Sequence, residues 1–299
     1  MRIIVTGSGG LVGSALTPAL ESAGHSVLRM VRSSAAIGRG IAPWDPEAGR
    51  LDPAHFSGVD AVVHLAGENI AAGRWTAAKK ERIRESRTKP TRLLAETLAG
   101  LSAPPRVLVS ASAIGIYGDR GDQALSEESP AGSGFLPEVC REWEAATQPA
   151  AAKDIRVVNL RIGVVLSPKG GALAKMLTPF RMGVGGKLGG GNQYMSWISL
   201  DDLVGVIQHV LTDESLSGAV NAVAPQAVTN YEFTKTLGRA LGRPTIFPMP
   251  GFAARLAFGE MADALLLASA RVEPAKLRAA GYSFRHPHLE VALRALLAK

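Results

Sequence analysis

The chain has 299 residues, of which 46% are hydrophobic and 20% charged, so it can form one large α/β domain with or without a small appendage. Its single cysteine, Cys140, excludes an intramolecular disulfide and fits a reducing compartment. The opening MRIIVTG lacks the pattern of a signal peptide, and the longest apolar stretch, residues 256–270, is interrupted by Glu260 and Asp263. These features predict a cytoplasmic protein with no membrane partner.

The net charge of +7 comes from 33 Lys and Arg against 26 Asp and Glu. The densest cationic group, residues 79–89, also contains Glu81 and Glu85, which is typical of a solvated helix with paired charges. A DNA-binding regulator ranks last among the hypotheses because no recognition motif accompanies the charge, and we expect no nucleic-acid partner. An anionic small ligand is the better use for the excess positive charge.

Short apolar runs alternate with helical patterns through the first two thirds of the chain. The runs are rich in β-branched residues and nearly continuous, as strands buried on both faces are. This alternation predicts an α/β fold with a Rossmann-like, doubly wound parallel sheet, whose strand ends meet at one ligand-binding edge. The predicted strands are 2–6, 26–31, 61–65, 106–110 and 156–160, and the predicted helices are 11–23, 77–99 and 137–152.

The sequence changes character after residue 166, where a smaller mixed C-terminal region is predicted. Residues 167–191 are rich in glycine and cations around a short helix at 172–180. Helices are predicted at 201–211 and 231–241 and a strand at 219–223, and residues 248–299 follow a proline-marked break and read as helical, ending in the amphipathic stretch 289–297.

A glycine-rich turn, Gly7-Ser8-Gly9-Gly10-Leu11-Val12-Gly13, lies directly between the first predicted strand and the first predicted helix. The first glycine permits a sharp turn, the middle one lets backbone amides approach a pyrophosphate, and the last permits close helix–strand packing. The amides and partial positive charge of the helix N-terminus bind phosphate. This strand–turn–helix setting predicts a dinucleotide site.

The end of the second predicted strand, Met30-Val31-Arg32-Ser33, indicates which dinucleotide binds. An NAD site carries an Asp or Glu here to accept from the ribose 2′-hydroxyl, and this strand has none. Arg32 can bind a 2′-phosphate through charge-assisted hydrogen bonds, and Ser33 can add one. NADP(H) is therefore the predicted cofactor, while a solvated strand-end cation remains the alternative for Arg32.

A later strand, Asp60-Ala-Val-Val-His-Leu-Ala-Gly67, repeats this logic. Ala66 and Gly67 are small where the chain must pass close to the adenosine ribose. By itself this would indicate only a strand-end turn, but beside the first glycine motif it supports the same site.

With these motifs the chain resembles the extended or atypical short-chain dehydrogenases of the NAD-dependent epimerase/dehydratase family. More narrowly it resembles a subfamily labelled "cell division inhibitor-like" or SulA-like, whose members end in a short domain of unknown function. The other matching stretches are specific only as a set, and together they cover essentially the whole chain. They are residues 65–70 (LAGENI), 74–75 (RW), 86–87 (SR), 110–118 (SASAIGIYG), 140–144 (CREWE), 160–163 (LRIG), 197–202 (WISLDD) and 258–261 (FGEM).

The resemblance implies which residues contact the cofactor. They are Gly7, Ser8, Gly9, Gly10, Leu11, Val12, Val31, Arg32, Ser33, Leu65, Ala66, Gly67, Glu68, Arg87, Ser110, Ala111 and Arg161. It also places Ser112 near the nicotinamide, where the wider family keeps a catalytic Ser or Thr. A strand-end hydroxyl that caps the turn is an equal alternative for Ser112.

The chain departs from the family at the residues that transfer the proton. The family uses a tyrosine followed four residues later by a lysine, but alignment on Glu144 puts Leu136 at the tyrosine position and Cys140 at the lysine position. Leucine carries no proton, and an uncharged thiol cannot replace an ammonium. Ordinary Tyr/Lys oxidoreduction is therefore not expected.

The remaining acid–base candidates are Tyr117, Glu68, Glu138, Glu142 and Cys140. Tyr117 lies in a Tyr-Gly turn, where packing is the alternative role, and a lone cysteine is more often a small buried residue than a nucleophile. No metal site is expected because the six histidines lack ligand spacing.

The segment 172–197 is expected to cover the substrate side of the site. It carries three cations, Lys175, Arg181 and Lys187, and offers the flat surfaces of Tyr194 and Trp197. These residues are compatible with an anionic small-molecule substrate, and the alternative is that the segment is a flexible glycine-rich lid whose cations only improve solubility. The resemblance also leaves a homodimer open.

Two functional hypotheses follow. The first is an NADP(H)-dependent, epimerase-like oxidoreductase acting on an unidentified small molecule, with Ser112 polarising a carbonyl. The second is a non-catalytic NADP(H)-binding sensor or scaffold, favoured by Leu136 and Cys140. Under both hypotheses the chain is expected to have three parts. Residues 1–166 form an NADP-binding domain, to which residues 197–225 return. Residues 167–247 form a substrate-side lid with mixed segments, and residues 248–299 form a C-terminal helical domain.

Overall fold

The strand–helix alternation builds a seven-stranded parallel sheet in the computed structural model, which describes residues 1–32, 38 and 40–298. The strands are β1 (Arg2–Thr6), β2 (Ser26–Val31), β3 (Ile41–Pro43), β4 (Ala61–His64), β5 (Val107–Ala113), β6 (Ala124–Leu125), β7 (Arg156–Ile162), β8 (Val164–Ser167), β9 (Tyr194–Met195), β10 (Trp197–Ser199), β11 (Gly218–Ala222), β12 (Val228–Thr229) and β13 (Arg271–Val272). The order β11-β7-β5-β4-β1-β2-β3 confirms the predicted Rossmann-like, doubly wound class.

Helices cover both faces of this sheet and build the smaller C-terminal region. They are α1 (Leu11–Ser22), α2 (Ala77–Ala99), α3 (Phe135–Ala145), α4 (Gln148–Ala151), α5 (Gly171–Arg181), α6 (Leu200–Thr212), α7 (Asn230–Leu241), α8 (Gly251–Phe258), α9 (Ala275–Ala279) and α10 (Leu289–Leu297). A π-helical segment, Ala262–Leu267, follows α8.

The hydrophobic core forms on both faces of the sheet because the central strands are apolar on both sides. On one face Leu16 of α1 and Ile207 of α6 pack against the strands, and on the other Leu94 and Leu98 of α2 do so. A further cluster joins α5, α7 and α10 around the fully buried Trp197. This third cluster stabilises the C-terminal region, and the burial of Trp197 in it corrects the expectation that Trp197 faces substrate.

Several elements differ from the sequence prediction, which did not include the short strands β3, β6, β8, β9, β10 and β12. The single helix expected at 137–152 is divided into α3 and α4, because Pro149 in the first turn of α4 has no amide hydrogen to donate to the carbonyl of Ala145. The strand expected at 106–110 extends to Ala113, since Ala111–Ala113 pair with β7. The stretch 248–299, expected to be helical, includes β13, which pairs with β6.

The sheet reverses its winding between β1 and β4, which defines the ligand-binding edge. The chain leaves β1 towards β2 on one side and returns to pair β4 on the other. The register aligns Thr6 with both Met30 and His64, so the carboxyl ends of these three strands lie level. In doubly wound sheets ligands bind at this point.

Candidate cofactor site

A cleft of about 890 Å³ opens at this edge of the sheet. It is formed by the β1–α1 turn, the end of β2, the loop after β4 and one face of α2. Ten residues predicted to contact the cofactor line it, namely Gly7, Ser8, Gly9, Gly10, Val31, Arg32, Leu65, Ala66, Gly67 and Glu68. A volume in this range is typical of small-molecule and cofactor sites.

The glycines of the β1–α1 turn have separate tasks that the geometry makes visible. Gly7 has φ +68°, and a Cβ there would lie 2.6 Å from the backbone of Leu65. A Cβ on Gly13 would lie 2.3 Å from the carbonyl oxygen of Gly7, so both positions need glycine for the fold. At Gly9 an added Cβ would meet no atom within 4 Å, so this glycine leaves room for a ligand.

The N-terminus of α1 supplies amides for an anion. Its N-cap residue is Gly10, and within the described residues no side chain caps the first turn. The Gly10 amide is used within the turn, where it donates to the Gly7 carbonyl at 3.0 Å. The following first-turn amides have no intrahelical partner, and together with the helix dipole they favour a phosphate group.

Arg32 is exposed at the end of β2 and lies in the same cleft wall as Trp44 and Pro46. Trp44 is held by edge-on packing against His64, with ring centroids 6.1 Å apart. Trp44 is only 4% exposed and so supports the cleft wall, while the exposed Arg32 guanidinium is a group that can bind a phosphate. Ser33, predicted to add a hydrogen bond, lies outside the described residues.

Arg87 fixes the loop after β4 from behind. Its guanidinium donates to the carbonyl oxygens of Glu68, at 3.0 Å, and Ile83, at 2.9 Å, and lies 5.1 Å from the ring centre of Trp143. Burial lowers its pKa. A Cβ on Gly67 would lie 3.6 Å from the Arg87 guanidinium carbon, so Arg87 supports the cleft wall from beneath Gly67.

Glu68 occupies the rim of the cleft in an ion pair with Lys79, whose ammonium lies 2.5 Å from the carboxylate, and Arg82 lies 3.5 Å away. The hydrogen bond from Lys79 lowers the pKa of Glu68, so this candidate is held as a carboxylate. Glu138 and Glu142 both lie near Arg84 on the outer face of α3.

Five other predicted contact residues are not in the wall of this cleft. Leu11 packs against Gly170 and Gly171, and Val12 packs into the core. Ser110 is fully buried and Ala111 nearly so. Arg161 is also buried, and its guanidinium is used within the protein, as described next.

Ser112, Glu144, Arg161 and Tyr117 form one hydrogen-bonded network below the active edge. The Ser112 hydroxyl donates to the Glu144 carboxylate at 2.7 Å, and Arg161 donates to the same carboxylate through two nitrogens, at 2.8 and 3.0 Å. Arg161 also donates to the Tyr117 hydroxyl at 2.9 Å, which in turn donates to the Asn221 side chain at 2.7 Å. Both hydroxyl protons of this network are therefore donated to groups of the protein itself, and the charge of Arg161 is paired with that of Glu144.

The position of Tyr117 and Ser112 bears on their predicted catalytic roles. Tyr117 is 0% exposed and Ser112 is 2% exposed. Burial raises the pKa of Tyr117, which keeps its proton on the hydroxyl and directed at Asn221. In this arrangement neither hydroxyl lines the cleft.

The Leu136 and Cys140 pair lies on the buried face of α3. An added Cβ on Gly115 would lie 3.5 Å from Leu136 and 3.9 Å from the Cys140 sulfur, so the family's Tyr/Lys positions adjoin the end of β5. Burial raises the pKa of the Cys140 thiol to about 12, with Glu144 adding to the shift. The thiol is therefore neutral at physiological pH and supplies neither a cation nor a nucleophile.

Behind the cleft, a chain of hydrogen bonds joins β1, β4, α2 and α3 through His64. The Thr91 hydroxyl donates to the Arg87 carbonyl at 2.6 Å, so it accepts from His64 Nε2 at 2.9 Å and from the Trp143 ring nitrogen at 3.0 Å. His64 Nδ1 is then the acceptor for the Thr6 hydroxyl at 2.7 Å. This network requires the neutral Nε2–H tautomer of a fully buried histidine.

The buried His64 predicts a loss of stability in acid. Burial lowers its pKa from 6.5 to about 4, so the unfolded chain binds this proton more readily than the folded one. The free energy of unfolding should therefore be fully present above pH 6.5 and fall by about 3 kcal/mol as pH drops towards 4. Urea unfolding of the parent and of His64→Gln at both ends of this range checks it. The variant should lose this part of the pH dependence, and an equally steep loss in both proteins would contradict it.

Nine residues of the cleft wall are absent from the predicted contact set, namely Met30, Trp44, Pro46, Glu47, Arg82, Glu85, Ser86, Lys89 and Pro90. Lys89 could have been found, because Arg82, Ser86 and Lys89 recur at helical spacing and so lie on one face of α2. Lys89 pairs with Glu85 at 2.5 Å. No sequence pattern indicated Trp44, because it follows the three-residue strand β3, which can be recognised only from its pairing with β2 in the structure.

Among the described residues, neither the cations of the segment 172–197 nor the side chains that could bind a metal form a second ligand site. Lys175 donates to the carbonyl of Ala71 and Lys187 to that of Gly190. Over residues 1–32, 38 and 40–298, no three His, Cys, Asp or Glu side chains are arranged to hold a metal ion. In the same residues no helix is both long and apolar enough to cross a bilayer.

Comparison with known proteins agrees with this geometry. Residues 3–222 match the model of the NAD dependent epimerase/dehydratase family, and residues 249–296 match a domain of unknown function, DUF1731. The chain belongs to the NAD dependent epimerase/dehydratase family. The narrower SulA-like label has no support beyond the sequence resemblance.

Several known proteins are similar to this chain over nearly all of its length. One from Mycobacterium bovis is 47% identical, covering 97% of this chain and 96% of that protein. The human epimerase family protein SDR39U1, crystallised with NADPH, is 36% identical, with a TM-score of 0.91 over 99% of both chains. A nucleoside-diphosphate sugar epimerase from Corynebacterium glutamicum is 39% identical, with a TM-score of 0.82 over 99% of this chain and 58% of that one.

Proposed function

We propose that this chain binds NADP(H) in the cleft and acts as an epimerase/dehydratase-like oxidoreductase on an unidentified small molecule. The observation that carries the proposal is the combination of an uncapped helix N-terminus with Arg32 at the end of the neighbouring strand. The first binds a pyrophosphate and the second a 2′-phosphate. The NADPH found with the human relative SDR39U1 supports the same cofactor here.

The residues present fit this cofactor. The open space at Gly9 admits a pyrophosphate against the α1 amides, while Ala66 and Gly67 leave room for the adenosine ribose. When bound, NADPH supplies a hydride from its nicotinamide. In this proposal Ser112 and Tyr117 act as positioning residues, because their hydroxyls hold Glu144 and Arg161 at the end of β5 and β7.

A matched pair of glycine variants tests the site. Gly9→Ala should fold normally and weaken NADPH binding by about tenfold, because its methyl group enters space that the pyrophosphate needs. Gly13→Ala should instead destabilise the fold by about 2 kcal/mol or more, because its methyl group meets the Gly7 carbonyl. Calorimetric titration with NADPH and urea unfolding separate the two effects. Unchanged NADPH affinity in a folded Gly9→Ala variant would contradict the placement of the pyrophosphate.

A non-catalytic NADP(H) sensor or scaffold is the second candidate. It is favoured by Leu136 and Cys140, which leave the usual proton-transfer positions without an acid or a cation. Turnover of NADPH with any member of a panel of carbonyl and nucleotide-sugar compounds would favour the enzyme. NADPH binding without turnover, together with a cofactor-dependent change in affinity for a protein partner, would favour the sensor.

A further inference from the structure

One part of the surface exposes far more apolar area than the rest, and neither the cofactor site nor the proposed reaction uses it. Six large apolar side chains there are each more than half exposed, from 52% for Val184 to 76% for Leu256. Soluble proteins rarely expose such groups in clusters unless the surface binds something. We call them the apolar surface; its members are Met182, Val184, Ile246, Phe247, Phe252 and Leu256.

The backbone holds these residues together. Residues 186–189 run beside residues 247–249, with a parallel bridge between Leu188 and Met249 and an amide of Met249 that donates to Lys187 at 2.9 Å. The two segments approach so closely that a Cβ on Gly186 would overlap the Phe247 carbonyl. The apolar surface is therefore built by defined backbone pairing.

Helix α8 continues the apolar surface directly after this pairing. Phe252 and Leu256 are one turn apart and so lie on one face, while Ala254 is fully buried on another. The helix is anchored by contacts of its far end, where Arg74 donates to the Leu256 carbonyl and Lys80 pairs with Glu260 at 2.9 Å. Phe252 and Leu256 are thus presented outward on a fixed helix.

Cations border this apolar surface. Arg181 and Arg243 are exposed beside it, and Gly183 lies against Pro244, which brings the two arginines' segments together. Across the part of the chain that the structure covers, neither arginine has an acidic side chain within 4 Å. The net charge of the whole chain, +7, is also positive. A second copy of this chain would therefore bring like charges together at this surface, whereas an anionic partner would be attracted to it.

We infer that the apolar surface docks this protein on an anionic lipid membrane as a peripheral protein. Exposed Phe, Leu, Ile and Met enter the boundary between headgroups and acyl chains, while flanking arginines contact anionic headgroups. Such binding needs no spanning helix. It is independent of the cofactor and would place the protein on a membrane whatever its reaction is.

Vesicle co-sedimentation of the full chain tests this inference. The probes are vesicles of phosphatidylcholine alone and of phosphatidylcholine mixed with phosphatidylglycerol. The parent protein should bind the mixed vesicles, weakly at high salt, and bind the neutral vesicles much less. The double variants Phe252→Ser/Leu256→Ser and Arg181→Gln/Arg243→Gln should each reduce partitioning by about tenfold or more.

Control variants remove exposed apolar and cationic side chains elsewhere on the protein. Val291→Ser removes an apolar side chain that is 48% exposed on α10, and Arg29→Gln/Arg92→Gln removes two exposed cations outside the apolar surface. Both controls should partition as the parent does, and near-ultraviolet circular dichroism verifies that every variant is folded.

Three results would overturn the inference. The first is no sedimentation of the parent with either kind of vesicle. The second is an equal loss of binding in the control variants, which would indicate a general attraction between opposite net charges. The third is a stable dimer in light scattering that Phe252→Ser/Leu256→Ser converts to a monomer, since the apolar surface would then be a contact between copies.

Discussion

Replacing Arg32 by alanine is expected to weaken NADPH binding by about 10- to 100-fold, because the guanidinium is the group placed to form charge-assisted hydrogen bonds with the 2′-phosphate. Arg32 lies in the cleft wall at the end of β2, where an NAD-specific site would carry an acid. NADH lacks the 2′-phosphate, so its affinity should change little. Titration of cofactor fluorescence with parent and variant measures both constants.

Arg92 provides a matched control for this experiment. It is an exposed arginine of α2 that lies outside the wall of the cleft. Arg92→Ala removes one positive charge from the protein without touching the site, so NADPH affinity should stay close to that of the parent. If Arg32→Ala bound NADH as tightly as the parent binds NADPH, or if both variants lost NADPH affinity equally, Arg32 would not be the group that selects the phosphate.

Replacing Arg161 by leucine is expected to destabilise the fold by about 3–5 kcal/mol, because it leaves the Glu144 carboxylate buried without its counter-ion. The Arg161 and Glu144 side chains are only 10% and 16% exposed, and two nitrogens of the first contact the second. The Tyr117 hydroxyl would lose its donor in the same variant. The free energy of unfolding in urea measures the effect.

A double variant separates loss of the ion pair from loss of packing. Arg161→Leu/Glu144→Leu removes both charges and should recover much of the stability lost in the single variant, because no uncompensated charge stays buried. Ser112 then loses its acceptor, which accounts for an incomplete recovery. A single variant within about 1 kcal/mol of the parent would show that water reaches Glu144 and that the pair is not buried in solution.

Part of the cleft wall could be predicted from local sequence because its groups follow strand ends directly. The glycine turn, Arg32 and the Ala66-Gly67 loop each come immediately after an apolar strand. Once the strands are parallel and the crossovers right-handed, their carboxyl ends must meet at one edge. Local pattern and general topology therefore determine this part of the site together.

The buried networks could not be predicted, because their members are far apart in the chain. Glu144 and Arg161 meet only after α3 has packed on the sheet beside β7, and Tyr117 and Asn221 are 104 residues apart. The same packing buries Ser112, whose motif indicated a catalytic hydroxyl, and removes it from the cleft wall. Sequence motifs show which residue types are present, but they do not show which groups accept the hydrogen bonds that those residues donate.

What the sequence by itself determined is the class of the fold and the sheet edge at which the cleft opens, since hydrophobic period, glycine spacing and strand-end chemistry act over short distances. Only the tertiary structure decided which predicted residues line that cleft, and it gathered six apolar side chains from residues 182–256 onto one surface. Contacts of this kind depend on how helices pack over the sheet. That packing is set by the whole chain at once, so no single segment encodes it.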